Sequence, residues 1–421
     1  MSKVAVIGGC GRSGLRISLI SANKGHKVTI IDIANEKINE LKQGNLPFIE
    51  AGAEIFLEEA LKNKSLTLSM THSALTHAEI IIITIDTPVD SNLNPSLEPV
   101  IGVILDASDY IKEDQLIIFR GTISPKITKR IKNIIEEKTG LKVGKNIFLA
   151  FCPEILDEAG NINSLLTSCQ PIGIYDEKSF KKAEDFFSTI TKGKISRLTP
   201  LEALLAKLMS NMFTYIKGAC TNEFYLISES YGANIHKILG SLKSNLAPNP
   251  NSAGPGMHKE GWFLVDRIPF SELITTAFKI NESMPACIVK KLEEYKIKKV
   301  AILGMASKAN SDETRASLSY KLRKILFYED YEVACFDPYL PEFSDPSILQ
   351  NSDAIILMTP HKEFQDLEKI VKLIKNYDCL VIDLHGFWKE SREIAQNGVY
   401  KFSELKTKGG IYTHLKDSQV S

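Results

Sequence analysis

The apolar positions along the chain alternate between short continuous runs and longer stretches of helical period. Lys3 to Gly8 is a β-rich run that breaks into glycines, Leu15 to Lys24 carries a helical pattern, and Lys27 to Asp32 is a second apolar run. Together they predict a β-α-β unit. Further runs at Glu79 to Ile85, Gln115 to Phe119 and Ile147 to Phe151 are separated by helix-like segments. Uninterrupted apolar runs between helices predict a parallel sheet covered on both faces. After Pro200 and up to about Tyr231 the apolar residues recur at helical spacing, interrupted by Gly218 alone, which predicts one long helix. Such a helix bridges domains or builds a dimer interface. Pro248 to Pro255 holds three prolines and ends regular structure, and helical patterns resume from Phe270 to Lys291. A second strand-glycine-helix-strand series starts at Lys299 (KVAILGM) and continues at Tyr331 to Asp337, Asp353 to Met358 and Cys379 to Leu384. The expected fold class is α/β. Two Rossmann-like doubly wound domains, residues 1–197 and 293–421, are joined by a long central helix and a helical dimerisation region, residues 198–292.

Composition narrows the function classes. A chain of 421 residues exceeds one ordinary core. Lys plus Arg equals Asp plus Glu at 51 each, so bulk charge recruits neither nucleic acid nor an anionic membrane. The longest apolar runs, such as Ile80 to Ile83 and Val300 to Leu303, fall far short of the roughly 20 residues of a membrane span, and no signal peptide precedes Val4. A cytoplasmic protein with no membrane partner is expected. The seven cysteines show no CxxC pair or metal-ligand spacing, so neither a metal site nor a disulfide framework is expected.

Gly9-Cys10-Gly11-Arg12-Ser13-Gly14 matches GxGxxG in the right context, with a strand before it, a helix after it and Asp32 at the tip of the next strand. One glycine makes the tight turn, the next admits a pyrophosphate, the third lets helix and strand pack, and the helix N-terminus offers N–H groups to the anion. An acid at Asp32 accepts bonds from ribose hydroxyls and repels a 2′-phosphate. The loop is therefore read as an NAD site rather than an NADP site.

Further segments carry a resemblance. GGCGRSGL, LKQGNLPFIEAG, TIDTPVDSNLNPSL, RGTISPKIT, AFCPEILDE, AKLMSNMFTYIKGACTNE, AGPG and VAILGMASKANSDETRAS follow one another over almost the whole chain. In that order they resemble the UDP-glucose/GDP-mannose dehydrogenase family, and more closely its UDP-N-acetylmannosamine dehydrogenase branch. The resemblance implies an N-terminal NAD domain, a central dimerisation region and a C-terminal domain for the nucleotide. The implied activity is oxidation of the C6 alcohol of a nucleotide sugar to a carboxylate.

Residue by residue, the resemblance implies that Thr87, Pro88 and Thr122 touch the cofactor or the reacting carbon; they also follow predicted strands at their C-terminal ends, where open sheets bind ligands. Glu154 matches the family's acid-base carboxylate. Glu158 stands at helical spacing from it, although paired glutamates at a helix start are also ordinary dipole partners. Lys207 and Asn211, four apart on one helix face, match the lysine and asparagine that bind the sugar and steady a developing oxyanion. Three residues before the lysine the family has a glutamate, where this chain has Leu204. Lys308 and Arg315 match the pair that clamps the nucleotide; Ser307 replaces the family's phenylalanine.

The largest departure is AGPGMHKEGWFL, Ala253 to Leu264, which reads as a ligand-closing loop rich in glycine and aromatics. Gly254 and Gly256 anchor it to the family pattern as sugar-binding positions. The nucleophilic cysteine that the family carries just beyond them is missing, and His258 and Lys259 stand in the shortened stretch. Four-electron oxidation through an acyl-enzyme depends on that thiol, whereas binding NAD and removing one hydride do not. Three readings stay open: an oxidoreductase that stops after two electrons or re-reduces the carbon as an epimerase does; the full 6-dehydrogenase by a gem-diol or another thiol; and a nucleotide-sugar-binding pseudoenzyme. The implied partners are a nucleotide sugar and a second copy of the chain through the central helix.

Overall fold

The computed structural model describes residues 1–88, 96–155, 162–242, 246–252, 257–265, 272–376, 378–388 and 399–402. The chain divides into two units: Met1–Ser210 with Lys259–Arg267, and Asn211–His258 with Ile268–Ser421.

The first unit is built on a sheet with the strands β1 (Lys3–Ile7), β2 (Lys27–Ile31), β3 (Leu66–Ser69), β4 (Ile80–Ile83), β5 (Leu116–Phe119), β6 (Phe148–Phe151), β7 (Gln170–Ile174) and β8 (Ile195–Leu198). Among the described residues their order is β3-β2-β1-β4-β5-β6-β7-β8. The pairs from β3 to β6 are parallel, β7 runs antiparallel to β6, and β8 is parallel to β7. The sequences IIII, LIIF and FLAF of β4, β5 and β6 are buried at every position, because helices cover both faces. One core cluster lies on each face of the sheet. Strand order reverses between β1 and β4, which opens the crevice at their C-terminal ends that such sheets use for ligands.

Three of these strands give weak signals in sequence. β3 is short, β8 (ISRL) is polar, and β7 (QPIGI) holds two breakers. Gly173 in β7 has a packing reason: a Cβ there would lie 2.8 Å from both the Ala203 Cβ and the Pro200 Cα, so the start of the long helix passes directly over the strand. That helix spans Pro200–Ser230 as the spacing predicts.

The second unit has β9 (Lys299–Leu303), β10 (Glu332–Phe336), β11 (Ala354–Leu357), β12 (Leu380–Ile382) and β13 (Val399–Lys401) in the order β10-β9-β11-β12-β13, with β13 antiparallel to β12. Tyr225 of the long helix and Met284, Ile288 and Leu292 of the Glu272–Leu292 helix close its core against β9 and β11. Met257–Val265, expected as loop, is a helix. The glycine and proline that suggested a loop precede it, and MHKEGWFLV contains no β-branched run to oppose helix formation.

The helix Arg12–Asn23 follows the glycine loop, and the tightest approach is at Gly14, where a Cβ would stand 2.3 Å from the Gly8 carbonyl oxygen and 2.8 Å from the Gly9 Cα. At Gly11 the nearest atom would be 3.3 Å away. Gly14→Ala is therefore expected to lower unfolding free energy by about 1–3 kcal/mol through overpacking. Gly11→Ala, a helix N-cap change, is expected to cost about half a kcal/mol. Urea titrations of the two variants check this ranking, and equal midpoints would contradict it.

Candidate functional site

The glycine loop leaves β1 with Gly8 at φ 76, and among the described residues the helix after it has no side-chain cap, so its first N–H groups are left for other acceptors. Asp32, at the end of β2, holds the loop: its Oδ2 accepts the Cys10 N–H at 2.9 Å and its Oδ1 the Ala34 N–H at 3.0 Å. A carboxylate has about four lone-pair sites, so Asp32 keeps acceptor capacity for a diol. Burial and the nearby Asp32 charge push the Cys10 thiol up to about 12, which leaves it a small neutral packing group. Among the described residues the Ser13 Oγ and Thr87 Oγ1 are buried without a partner, a costly condition that a bound polar ligand relieves. An NAD pyrophosphate and ribose fit these groups: uncapped amides, a glycine-lined approach, a half-used carboxylate and two waiting hydroxyls.

At the ends of β4 and β5 the loops zip together. Thr87 N–H donates to the Thr122 carbonyl at 2.8 Å, and Thr122 N–H donates to Asp86 Oδ1 at 2.6 Å. Lys259, from the Met257–Val265 helix, donates its Nζ to the Thr87 carbonyl at 3.1 Å. Gly9, Gly11, Gly14, Asp32, Thr87, Thr122 and Lys259 thus belong to one region of the first unit, and Pro88 follows directly on Thr87. The Arg12 side chain stacks 4.6 Å over the Phe48 ring and donates to the Ile49 carbonyl at 3.0 Å.

Glu154 stands in a buried group of four charges. Arg16 on the glycine-loop helix contacts Glu50 at 2.7 Å and Glu154 Oε2 at 3.4 Å, while Arg120, directly after β5, contacts Glu154 Oε1 at 3.5 Å. Arg120 also donates to the Cys152 carbonyl at 3.2 Å and to Gln170 Oε1 at 2.9 Å. Two guanidiniums and two carboxylates balance in charge. Burial lowers the pKa of Arg120 below the usual guanidinium range, with Glu154 opposing it. Burial also acts against Arg16, but the bond to Glu50 and the charge of Glu154 outweigh it and raise its pKa. Arg16, Glu50 and Arg120 were not legible as site residues. The available signal was a charge set among Leu15, Ile17 and Leu19 on a helix, and another straight after the buried run LIIF.

Lys207 and Asn211 are half-buried on the long helix, the first belonging to the first unit and the second to the other. Leu204, where the resemblance expects a glutamate, is 2% exposed and packs into the core under β4, β5 and β6. Lys308 and Arg315 lie in the second unit after β9, both exposed, and Arg315 makes a two-pronged contact with Glu313 at 2.8 and 2.5 Å. Glu158, Gly254, Gly256, the His258 side chain and the TPVDSNLNPSL tip (residues 89–95) lie outside the described residues. Cys152 is fully buried and its pKa is raised by desolvation, so it is no thiolate. Of the seven unpaired thiols Cys169 is the exposed one. Among the described residues no helix is long and apolar enough to cross a membrane.

Comparison with known proteins agrees with this layout. The NAD binding domain of the UDP-glucose/GDP-mannose dehydrogenase family matches residues 2–191, and the family's UDP binding domain matches residues 301–390. The UDP-N-acetyl-D-mannosamine dehydrogenase of Methanococcus aeolicus is 29% identical over 419 residues, covering 93% of both chains. The structure of the UDP-D-ManNAc dehydrogenase of Pyrococcus horikoshii superposes with a TM-score of 0.84 at 28% identity, covering 92% of this chain and 96% of that one. The UDP-N-acetyl-mannosamine dehydrogenase of Staphylococcus aureus gives 0.79 at 25% identity, with 92% and 95% covered.

Removing one member of a buried ion pair strands the other, at about 3–5 kcal/mol. Arg120→Met is expected to destabilise by that amount in urea unfolding. Adding Glu154→Gln is expected to cost less than the sum of the two single changes, with coupling of about 1 kcal/mol or more. Strict additivity would show that the contact carries no energy.

Proposed function

Because the chain belongs to the UDP-glucose/GDP-mannose dehydrogenase family, and is an NAD-dependent nucleotide-sugar dehydrogenase, we propose that it oxidises the C6 alcohol of a UDP-N-acetylhexosamine and releases one hydride per sugar. One observation carries the stoichiometry. The segment where the resemblance expects the acyl-forming thiol is the helix Met257–Val265, which has no cysteine and sends Lys259 to the Thr87 carbonyl. The sugar class follows the names of the relatives; the same class serves polysaccharide precursor synthesis.

In this reading Gly9, Gly11 and Gly14 let the pyrophosphate approach the helix N-terminus, the backbone N–H groups of Arg12 and Ser13 hold it, and Asp32 takes the ribose hydroxyls. Thr87, Pro88 and Thr122 line the nicotinamide end. NAD, when bound, supplies the hydride acceptor. The alcohol loses a hydride from C6 and a proton from oxygen, leaving an aldehyde. Lys207 and Lys259 steady the alkoxide as the proton departs to solvent, and Asn211 orients the hydroxyl. Glu154, with each oxygen on a guanidinium, acts by charge and by holding the strand-end loops. Glu158, Gly254, Gly256 and His258 contact the sugar, while Lys308 and Arg315 meet the phosphates. Seven cysteines without disulfide or metal-ligand spacing support a cytoplasmic setting.

The long helix also supports a homodimer. Phe213, Phe224, Ile227 and Tyr231 recur at helical spacing and are 42–83% exposed, a stripe that a second copy buries.

The deciding measurement is NADH formed per UDP-N-acetylmannosamine consumed. One NADH and an aldehyde trapped by hydroxylamine are expected, with Cys152→Ala unchanged. Two NADH with an acid product would restore the four-electron route by a gem-diol, and absence of turnover over a panel of UDP-sugars would favour a binding protein. For the dimer, Phe213→Glu is expected to halve the mass in light scattering; an unchanged mass would place the interface elsewhere.

A further inference from the structure

The segment Met305–Asn310 leaves the C-terminal end of β9 and carries Lys308. It is pinned at both ends by groups of the same unit. Asp337, at the end of β10 and 0% exposed, accepts the Met305 N–H at 2.7 Å and the Ala306 N–H at 2.9 Å on Oδ2, and the Tyr339 N–H at 2.9 Å on Oδ1. His361, after β11 and equally buried, stands with Nε2 3.1 Å from the same Oδ2. Its Nδ1 accepts the Asn310 N–H at 2.9 Å. Acceptance at Nδ1 fixes the tautomer: the proton sits on Nε2 and is donated to Asp337. One carboxylate-imidazole pair therefore grips the beginning and the end of the segment at once.

A third group reinforces the grip on the beginning. Asn251 is 3% exposed; its Nδ2 donates to the Ala306 carbonyl at 2.9 Å and to Thr359 Oγ1 at 3.0 Å, and its Oδ1 accepts the Leu318 N–H at 2.7 Å. Asn310 itself adopts the left-handed conformation at φ 55, and its side chain accepts the Lys362 N–H at 2.8 Å. Burying an aspartate, a histidine and an asparagine is costly unless each is satisfied. β9 and β10 already pair in register over their whole length, and apolar side chains would serve to close the layer beneath them. What the polar groups add is a single backbone path for residues 305–310, and that path delivers Lys308.

We propose that Asp337, His361 and Asn251 are positioning residues for nucleotide binding: they preset the 305–310 path so that Lys308 meets the diphosphate of a nucleoside diphosphate. The inference rests on the reading that Lys308 binds the nucleotide.

Two replacements of His361 separate the two halves of the grip. His361→Gln keeps an amide donor for Asp337 but places no acceptor at the Nδ1 position that meets the Asn310 N–H. His361→Asn keeps the acceptor near the Nδ1 position and does not reach Asp337. Calorimetry with UDP is run on the full chain, on both variants, on Lys308→Ala and on Lys308→Ala combined with His361→Gln. Loss of one buried hydrogen bond that orients the loop is expected to weaken UDP binding about ten-fold in either variant. The KM for the nucleotide sugar should rise by the same factor, while kcat and NAD affinity stay at wild-type values. The combined variant is expected to bind no more weakly than Lys308→Ala, since His361 acts through the lysine. Wild-type UDP affinity in both His361 variants, whatever their melting temperatures, would overturn the inference while leaving nucleotide binding by Lys308 intact, as would a parallel loss of NAD affinity. No UDP binding by the wild-type chain, or no effect of Lys308→Ala, would instead overturn the reading on which the inference stands.

Discussion

The four buried charges of Arg16, Glu50, Arg120 and Glu154 tie distant parts of the first unit to one another. They join the glycine-loop helix, the stretch before Gly52, the end of β5 and the segment after β6, four pieces that are far apart in the chain. Apolar side chains would fill the same volume at lower desolvation cost, yet they would tolerate sliding. Charges with defined partners do not, because a displacement of a few ångströms leaves an uncompensated ion. The glycine loop and the Thr122 loop consequently share one register.

The two units solve the same local problem in different ways. Each begins with a strand, KVAVI or KVAIL, followed by a turn whose N–H groups are taken by an aspartate at the end of the neighbouring strand. Asp32 remains partly exposed and spends one bond on the loop and one on Ala34. Asp337 is sealed and shared with His361, so its capacity is used internally. A carboxylate that keeps lone pairs at the surface suits a diol ligand. One that is saturated suits a scaffold, and the loop it holds carries the exposed Lys308.

Much of this arrangement was legible in the sequence. The runs KVAVI, IIII, LIIF, FLAF and KVAIL identify central strands because both faces are buried, and the long helix follows from spacing alone. β7 was hidden because Pro171 and Gly173 are there for reasons of packing against the helix start, which local propensity does not register. The helix Met257–Val265 was hidden by the glycines and proline before it. GxGxxG with Asp32 was readable since its geometry is local. The ion quartet was not, because its partners lie 34 to 138 residues apart and charge pairing across such separations leaves no periodic trace. His361 was unreadable for the same reason: its partner Asp337 follows another strand.

Cys169 offers an experimental handle of a kind the other thiols do not. It is exposed, whereas Cys10, Cys152, Cys335 and Cys379 are buried, and it immediately precedes Gln170, whose amide oxygen receives a bond from Arg120. A maleimide fluorophore placed there would sit one peptide away from the ionic cluster, so its emission would follow rearrangements of that cluster in real time during turnover.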